Sequence, residues 1–341
     1  MKELSNSAFL KRIKDTVKYY DMLREGDSVL VAVSGGSDSV CLLKALSDIK
    51  RQLGIEIMAG NIDHGLRGKE SEKDSEFVKN LCGKFGVKCA HKKINVRRGG
   101  TLGASLEERA REKRYDFLVK TAVENKCGVI ATGHTMDDQA ETVLMRIIFG
   151  ASFSGMCGIP PVREEKGIKI IRPLIRMDKK EILTFVNRNS TGYVEDSSNL
   201  DIRFLRNRIR REVLPYLEKI NPMVKRTLAN LSDTLREDLS FLENEKKKVL
   251  RTYTRNGKTG FNVQEIMTHP ETIRKEIFKE LFTRAGGNVK KLTYRHWMDM
   301  DFFIKTSYTN KSLDLPGKIN AVRTKKEILF RKTKKDSFGR L

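Results

Sequence analysis

Four short stretches carry residues whose types and spacing can do chemistry. The first, VAVSGGSDSV (31–40), sets Gly35 and Gly36 among Ser34, Ser37 and Ser39, with one acid, Asp38. Paired glycines allow positive φ and let a ligand come close to the backbone. The apolar spacing that follows makes this the start of a helix, whose free N–H groups and partial positive charge attract anions. The stretch has no lysine, so it is not the GxxxxGK[ST] loop, and GxGxxG is absent too. It is either a Gly-Ser turn or a phosphate cradle. Asp38 favours the cradle, because an acid beside a bound anion calls for a metal ion between them. A first-turn acid favoured by the helix dipole is the plainer account of the same residue.

The second stretch, TGHTMDDQAE (132–141), gathers His134, Asp137, Asp138 and Glu141. Asp137 and Glu141 are four apart and share a helical face, where paired acids can hold an ammonium group and take its proton. A helix cap with first-turn acids explains one such residue; a histidine with three acids favours a site. The third, NIDHGLRG (61–68), ends a strand-like run with Asp63, His64 and Arg67; His64 is equally a polar turn residue. The fourth, RFLRNRIRR (203–211), carries Arg203, Arg206, Arg208, Arg210 and Arg211, a stripe suited to an RNA backbone or simply a solvated basic helix. In LEERAREKRY (106–115), Glu107, Arg111 and Arg114 lie near one helical face, as surface ion pairs usually do.

The elements that position these residues follow from periodicity. Ser28–Val33 is short, apolar and β-branched, a buried strand, and Asp38–Ile49 has helical spacing. Strand-like Glu56–Asp63, Val87–Ile94 and Gly128–His134 then alternate with helical Ser71–Gly86, Ser105–Lys126 and Asp137–Gly150. This alternation predicts an α/β fold with a parallel sheet covered on both faces, its ligands at the carboxyl ends of the strands. The first three polar stretches fall at that edge. After Pro215 the character changes: helical runs at Ile220–Leu250, His269–Gly287 and Thr293–Lys305 precede a small β unit over Ser312–Lys332. The expected division is therefore residues 1–215 and 216–341.

Composition narrows the partners. The 341 residues carry a formal net charge of +23, which points to a polyanion, most often nucleic acid. Residues 241–341 hold 24 Lys and Arg against 11 Asp and Glu, so over half of the excess lies there. The five cysteines form no CxxC and are odd in number, against a disulfide framework. No apolar run reaches transmembrane length and the N-terminus is not a signal peptide, so a cytoplasmic location with no membrane partner is expected. Oligomeric state is not legible in these residues.

The SGGSDS stretch resembles the pyrophosphate loop (PP-loop) of the N-type ATP pyrophosphatases. Together with NIDHGLRG, ASLEERAREKRYDF, ATGHTMDDQAETVLMRIIFGASFSGMCGIPP, IIRPLI and EDSSNLDIRFLRNRIRREVLP, it resembles the tRNA(Ile)-lysidine synthetases over Val31 to Pro215. The resemblance implies a Rossmann-like PP-loop catalytic domain, then a mostly helical, basic tRNA-binding domain ending in a short β unit. It implies a ligase that uses ATP to adenylate C2 of the wobble cytidine of a tRNA(Ile) with a CAU anticodon. Free L-lysine then displaces AMP to give lysidine. ATP would lie on Ser34, Gly35, Gly36, Ser37, Asp38, Ser39, Asp63, His64 and Gly133, with Mg²⁺ on Asp38. Asp38, Arg111, His134, Asp137 and Glu141 would be catalytic. Asp137, Asp138 and Glu141 with Arg203, Arg206 and Arg208 would meet lysine and tRNA. The Gly-rich segment Gly150–Gly158 is a candidate cover for the site. A tRNA thiolase of the same superfamily and a non-catalytic RNA-binding module are the rival readings.

Overall fold

The computed structural model describes residues 4–63, 69–93, 106–194, 205–253, 259–306 and 310–333. The chain divides into two compact units, Met1–Leu235 and Arg236–Leu341.

The first unit is built on a six-stranded sheet. Its strands are β1 (Ser28–Ala32), β2 (Glu56–Asp63), β3 (Cys89–Lys93), β4 (Val129–Ala131), β5 (Val162–Glu165) and β6 (Ile168–Ile171), in the spatial order β3-β2-β1-β4-β6-β5. All neighbours are parallel except β5, which returns antiparallel on β6 through a turn at Lys166 and Gly167. The helices are α1 (Asn6–Tyr19), α2 (Ser37–Leu53), α3 (Lys69–Lys84), α4 (Leu106–Glu124), α5 (Met136–Ile148), the short α6 (Phe153–Met156), α7 (Lys179–Arg188), α8 (Leu205–Arg208) and α9 (Leu214–Ile220). A π-helical turn, Ile209–Val213, joins α8 to α9.

Central strands buried on both faces need continuous apolar runs. Val29, Leu30 and Val31 supply one in β1, and Val129, Ile130 and Ala131 another in β4. One face of the sheet packs with α1, α2 and α7 through Phe9, Val40, Leu43, Leu46 and Phe185. Leu30, Ile130 and Ile170 pack instead with Tyr115 and Leu118 of α4. The order reverses at β1 and β4: the chain moves outward from β1 through β2 to β3, then returns to β4 on the other side. The carboxyl ends of β1 and β4 are thus the crevice where such sheets bind ligands.

The first unit extends past the change in sequence character at Pro215. Leu214 and Ile209 are buried with Ala140 of α5, and Ser232 of α10 (Val224–Tyr253) donates to the Cys157 carbonyl at 2.8 Å. The second unit holds β7 (Gly260–Asn262), α11 (Val263–Met267), α12 (Glu271–Arg284), α13 (Tyr294–Lys305), β8 (Ser312–Leu315), β9 (Ile319–Arg323) and β10 (Glu327–Lys332). Its four strands form an antiparallel sheet, β7-β10-β9-β8, packed with Phe278, Phe282 and Trp297. Buried Arg323 donates to the Phe303 and Ile304 carbonyls at 2.8 Å each, satisfying the end of α13.

Candidate functional site

The loop after β1 is shaped by Gly35, whose φ of +92° admits few side chains. Its carbonyl accepts from the Val194 N–H at 2.9 Å. The Ser39 hydroxyl folds back to donate to the Gly36 carbonyl at 2.9 Å and accepts from the Ser34 N–H at 3.1 Å. Gly36 caps α2 with no side-chain bond, so the first amides of the helix keep their capacity for a ligand. Asn61 braces the strand exit by donating to the Val33 carbonyl at 2.8 Å. Gly133, after β4, lies against the same loop. A Cβ there would come within 3.1 Å of the Asp38 carbonyl carbon and 3.2 Å of the Ser39 nitrogen. A side chain there would push the β4 end and the loop apart by a few tenths of an ångström.

The loop lacks a lysine in sequence but not in space. Lys179, the first residue of α7, places its Nζ 2.5 Å from Asp38 Oδ1 and 2.7 Å from Ser37 Oγ. Its backbone N–H donates to Asp137 Oδ2 at 2.8 Å. One residue therefore ties the loop to α5. Burial raises the Asp38 pKa, opposed by the charge and hydrogen bond of Lys179. Sequence reasoning missed Lys179, although a signal existed. Asp178 and Glu181 form a capping box that starts a helix here, and a lysine at that helix's first position is disfavoured by the dipole unless a partner holds it.

The acids of α5 are deeply engaged. Thr135 caps the helix in a capping box with Asp138. Glu141, with no side-chain exposure, receives Arg206 Nε at 2.7 Å and Arg210 Nε at 2.5 Å. Asp138 receives Arg206 Nη2 at 2.8 Å. Asp137 accepts the Lys225 ammonium at 2.8 Å, a group shared with Glu218 at 3.0 Å. Arg206 and Arg210 thus turn toward acids of their own unit, while Arg208 is exposed beside Glu212. The His134 ring, bonded through Nδ1 to the Thr132 hydroxyl at 2.9 Å, has its pKa driven well below 6.5 by burial. Asp138 opposes the shift, and Arg172, Arg111 and Arg114 add to it. It is a neutral imidazole at ordinary pH.

Ser34, Gly35, Gly36, Ser37, Asp38, Ser39, Gly133, His134, Asp137, Asp138 and Glu141 thus meet around the ends of β1 and β4. Arg111 stands on α4 with its guanidinium carbon 5.2 Å from the Tyr115 ring centre. Asp63 ends β2; His64 and Arg203 lie outside the described residues. The end of the Gly-rich segment is pinned, with Gln139 accepting from the Ile159 N–H at 2.7 Å. Among the described residues, no group of three or more His, Cys, Asp or Glu is arranged to hold a metal. Magnesium takes one or two carboxylates and completes its octahedron with phosphate and water. A single half-buried carboxylate at Asp38, already paired with the Lys179 cation, fits that share.

Comparison with known proteins extends this geometry. The model of the PP-loop domain family matches residues 5–217. A tRNA(Ile)-lysidine synthase of Clostridioides difficile is 32% identical over 324 residues, covering 94% of this chain and 70% of that protein. Another from Geobacter sulfurreducens is 31% identical, covering 97% and 70%. The chain belongs to the tRNA(Ile)-lysidine synthase family. A solved U34-tRNA thiolase from Methanococcus maripaludis superposes with a TM-score of 0.57 at 21% identity, over 68% of this chain and 80% of that one. That likeness shows the fold. Membership in the tRNA(Ile)-lysidine synthase family makes the protein a PP-loop ligase. No described helix is long and apolar enough to cross a membrane.

Proposed function

We propose that the protein is an ATP-dependent ligase that joins L-lysine to C2 of the wobble cytidine of a tRNA(Ile) with a CAU anticodon. The products are lysidine, AMP and pyrophosphate, made in the cytoplasm. The observation that carries this reading is the contact of Lys179 with Asp38 and Ser37, at the mouth of a PP-loop in a chain of this family. The loop amides and the Ser34, Ser37 and Ser39 hydroxyls hold the β and γ phosphates, with Lys179 opposing the charge that builds on the leaving pyrophosphate. Asp38 would hold Mg²⁺, and the ion would supply charge neutralisation to the leaving pyrophosphate. Asp63 and His64 would flank the nucleotide, and Arg111 would meet phosphate or base.

Attack requires the lysine ε-amine to be held, then deprotonated. Asp137 suits the holding role, since its carboxylate already accepts an ammonium, that of Lys225, at 2.8 Å. Asp137 and Glu141 share the helical face on which paired acids take that proton, and the neutral His134 imidazole beside them would orient the reacting groups through hydrogen bonds. Glu141 and Asp138 also fix Arg206 and Arg210. The basic residues beyond 215, with Arg203 and Arg208, serve the tRNA backbone. The test is release of pyrophosphate from ATP by the full chain, with tRNA(Ile) transcript and L-lysine added singly and together. Release that depends on the transcript, with lysine incorporated into it, is expected. Release without tRNA, or sulfur transfer in place of lysine transfer, would overturn the reading.

A further inference from the structure

A second cluster of positive charge gathers at the same sheet edge, around Tyr115 of α4 rather than on the loop after β1. Tyr115 of α4 is 5% exposed, and three guanidiniums gather on it. Arg163 of β5 stacks 4.5 Å from its ring centre, Arg111 at 5.2 Å and Arg114 at 5.8 Å. Arg172, one residue beyond β6, is 1% exposed. The topology explains the meeting. Strand β6 runs parallel to β4, so Arg172 leaves the sheet at the edge where His134 leaves it. Strand β5 runs back, and Arg163 pairs with Ile170, two residues before Arg172.

The cluster is rich in cations. Glu165 pairs with Arg163 at 2.5 Å. Arg172 donates to the Pro160 carbonyl, which carries no charge. Two buried guanidinium nitrogens make no hydrogen bond, Arg163 Nε and Arg172 Nε, while the Tyr115 phenol meets the Arg172 guanidinium. Each is a donor, and buried donors without acceptors are costly. Burial pushes the Arg172 guanidinium down to about 10. Burial alone would raise the Tyr115 phenol, but Arg111, Arg172, Arg114 and Arg163 outweigh it and hold it below 10. Like charges gathered over a buried floor, with spare donors, favour an anion that completes them. Arg111 is exposed and Arg163 half-buried, so the cluster has a floor, Tyr115 and Arg172, and a mouth open to solvent.

We infer that Arg111, Arg163 and Arg172 around Tyr115 form a phosphate-binding subsite distinct from the PP-loop. Three guanidiniums and a phenol offer planar, forked donors, the chemistry that recognises phosphate oxygens. The phosphate belongs either to the RNA backbone beside the reacting base or to the nucleotide. The inference rests on the reading that both ligands meet at this edge, but its test reads binding rather than turnover.

The test compares the full chain with Arg163→Gln and Tyr115→Phe, which leave the buried Arg172 in place. Melting temperatures confirm that each variant is folded. Affinity is measured for tRNA(Ile) transcript across a range of salt, and separately for a non-hydrolysable ATP analogue. Loss of one charge-assisted bond should weaken one ligand about tenfold for Arg163→Gln, and less for Tyr115→Phe. If the phosphate is that of RNA, the salt slope should also fall by about one unit, with analogue affinity unchanged. If it is that of the nucleotide, analogue affinity falls and the RNA slope stays. Wild-type affinity for both ligands in both variants would overturn the subsite. Failure of the wild-type chain to join lysine to tRNA would count against the proposed reaction, while leaving these binding comparisons readable.

Discussion

Lys179 is the residue on which the site turns, because it gives a glycine-serine loop the cation its own sequence lacks. Replacing it with alanine should slow pyrophosphate release by roughly 10²–10³-fold, the usual cost of one preorganised donor at developing charge. Affinity for tRNA should be unchanged, as filter binding would check. Asp137→Asn should raise KM for lysine more than it slows pyrophosphate release, measured by varying lysine at saturating ATP. If both steps fall together, Asp137 serves the loop through its bond to the Lys179 N–H instead. His134 carries a pH signature. Its pKa is lower in the folded chain than the ordinary 6.5, so the unfolded chain binds a proton that the folded chain refuses. Stability from this group is therefore fully present above about pH 6.5 and lost as pH falls toward the depressed folded value. The slope is at most about 1.4 kcal/mol per pH unit. His134→Asn should flatten the loss of denaturant stability between pH 6 and pH 4; an unchanged slope would show that other groups cause it.

The elements hold these residues by burying what they oppose. Helix α5 enters through a Thr135–Asp138 capping box, and its Glu141 anchors the α8 helix and π-helical turn through Arg206 and Arg210. Glu141→Gln leaves two guanidiniums facing a neutral amide. Breaking a buried pair costs about 3 kcal/mol at the lower end of its range, which suits arginines that are partly exposed. The melting temperature should fall by roughly 6–12 °C. A shift under 2 °C would mean that the arginines find other partners. The sequence makes Asp137 and Glu141 equal members of one helical face. Packing separates them: Asp137 lies beside Lys179 and the loop, while Glu141 is sealed under arginines.

At the scale of the molecule, the first unit is completed by chain that composition assigns elsewhere. A chain ending at Pro215 lacks Lys225, the partner of Asp137, and Ser232, which bonds the Cys157 carbonyl. It also lacks Asp233, which accepts from the Tyr20 hydroxyl at 2.8 Å and from Arg176 at 2.7 Å. It should melt below a chain ending at Leu235, by calorimetry, and equal melting would show these contacts to be idle. The chain ending at Leu235 should bind tRNA with a shallower salt dependence than the full chain, since the excess charge of residues 241–341 is gone.

The sequence by itself determined the alternation of strands and helices, the glycine-serine loop and the acids of 137–141, because local periodicity and backbone needs are written in neighbouring residues. The expected strand Glu56–Asp63 is the observed β2, and helices 71–86 and 105–126 are α3 and α4 within two residues. The motifs also carried the family. Helix α7 and the β5–β6 hairpin went unread: α7 is short, and the strands of four residues are too brief to show a period. Which charges meet was decided only by the tertiary structure. Lys179 is 141 residues from Asp38, and Arg206 is 65 from Glu141. Tyr115 gathers guanidiniums from α4, β5 and the end of β6. Such pairs form because sheet order and helix packing bring distant segments to one edge, and no local pattern in the chain records that geometry.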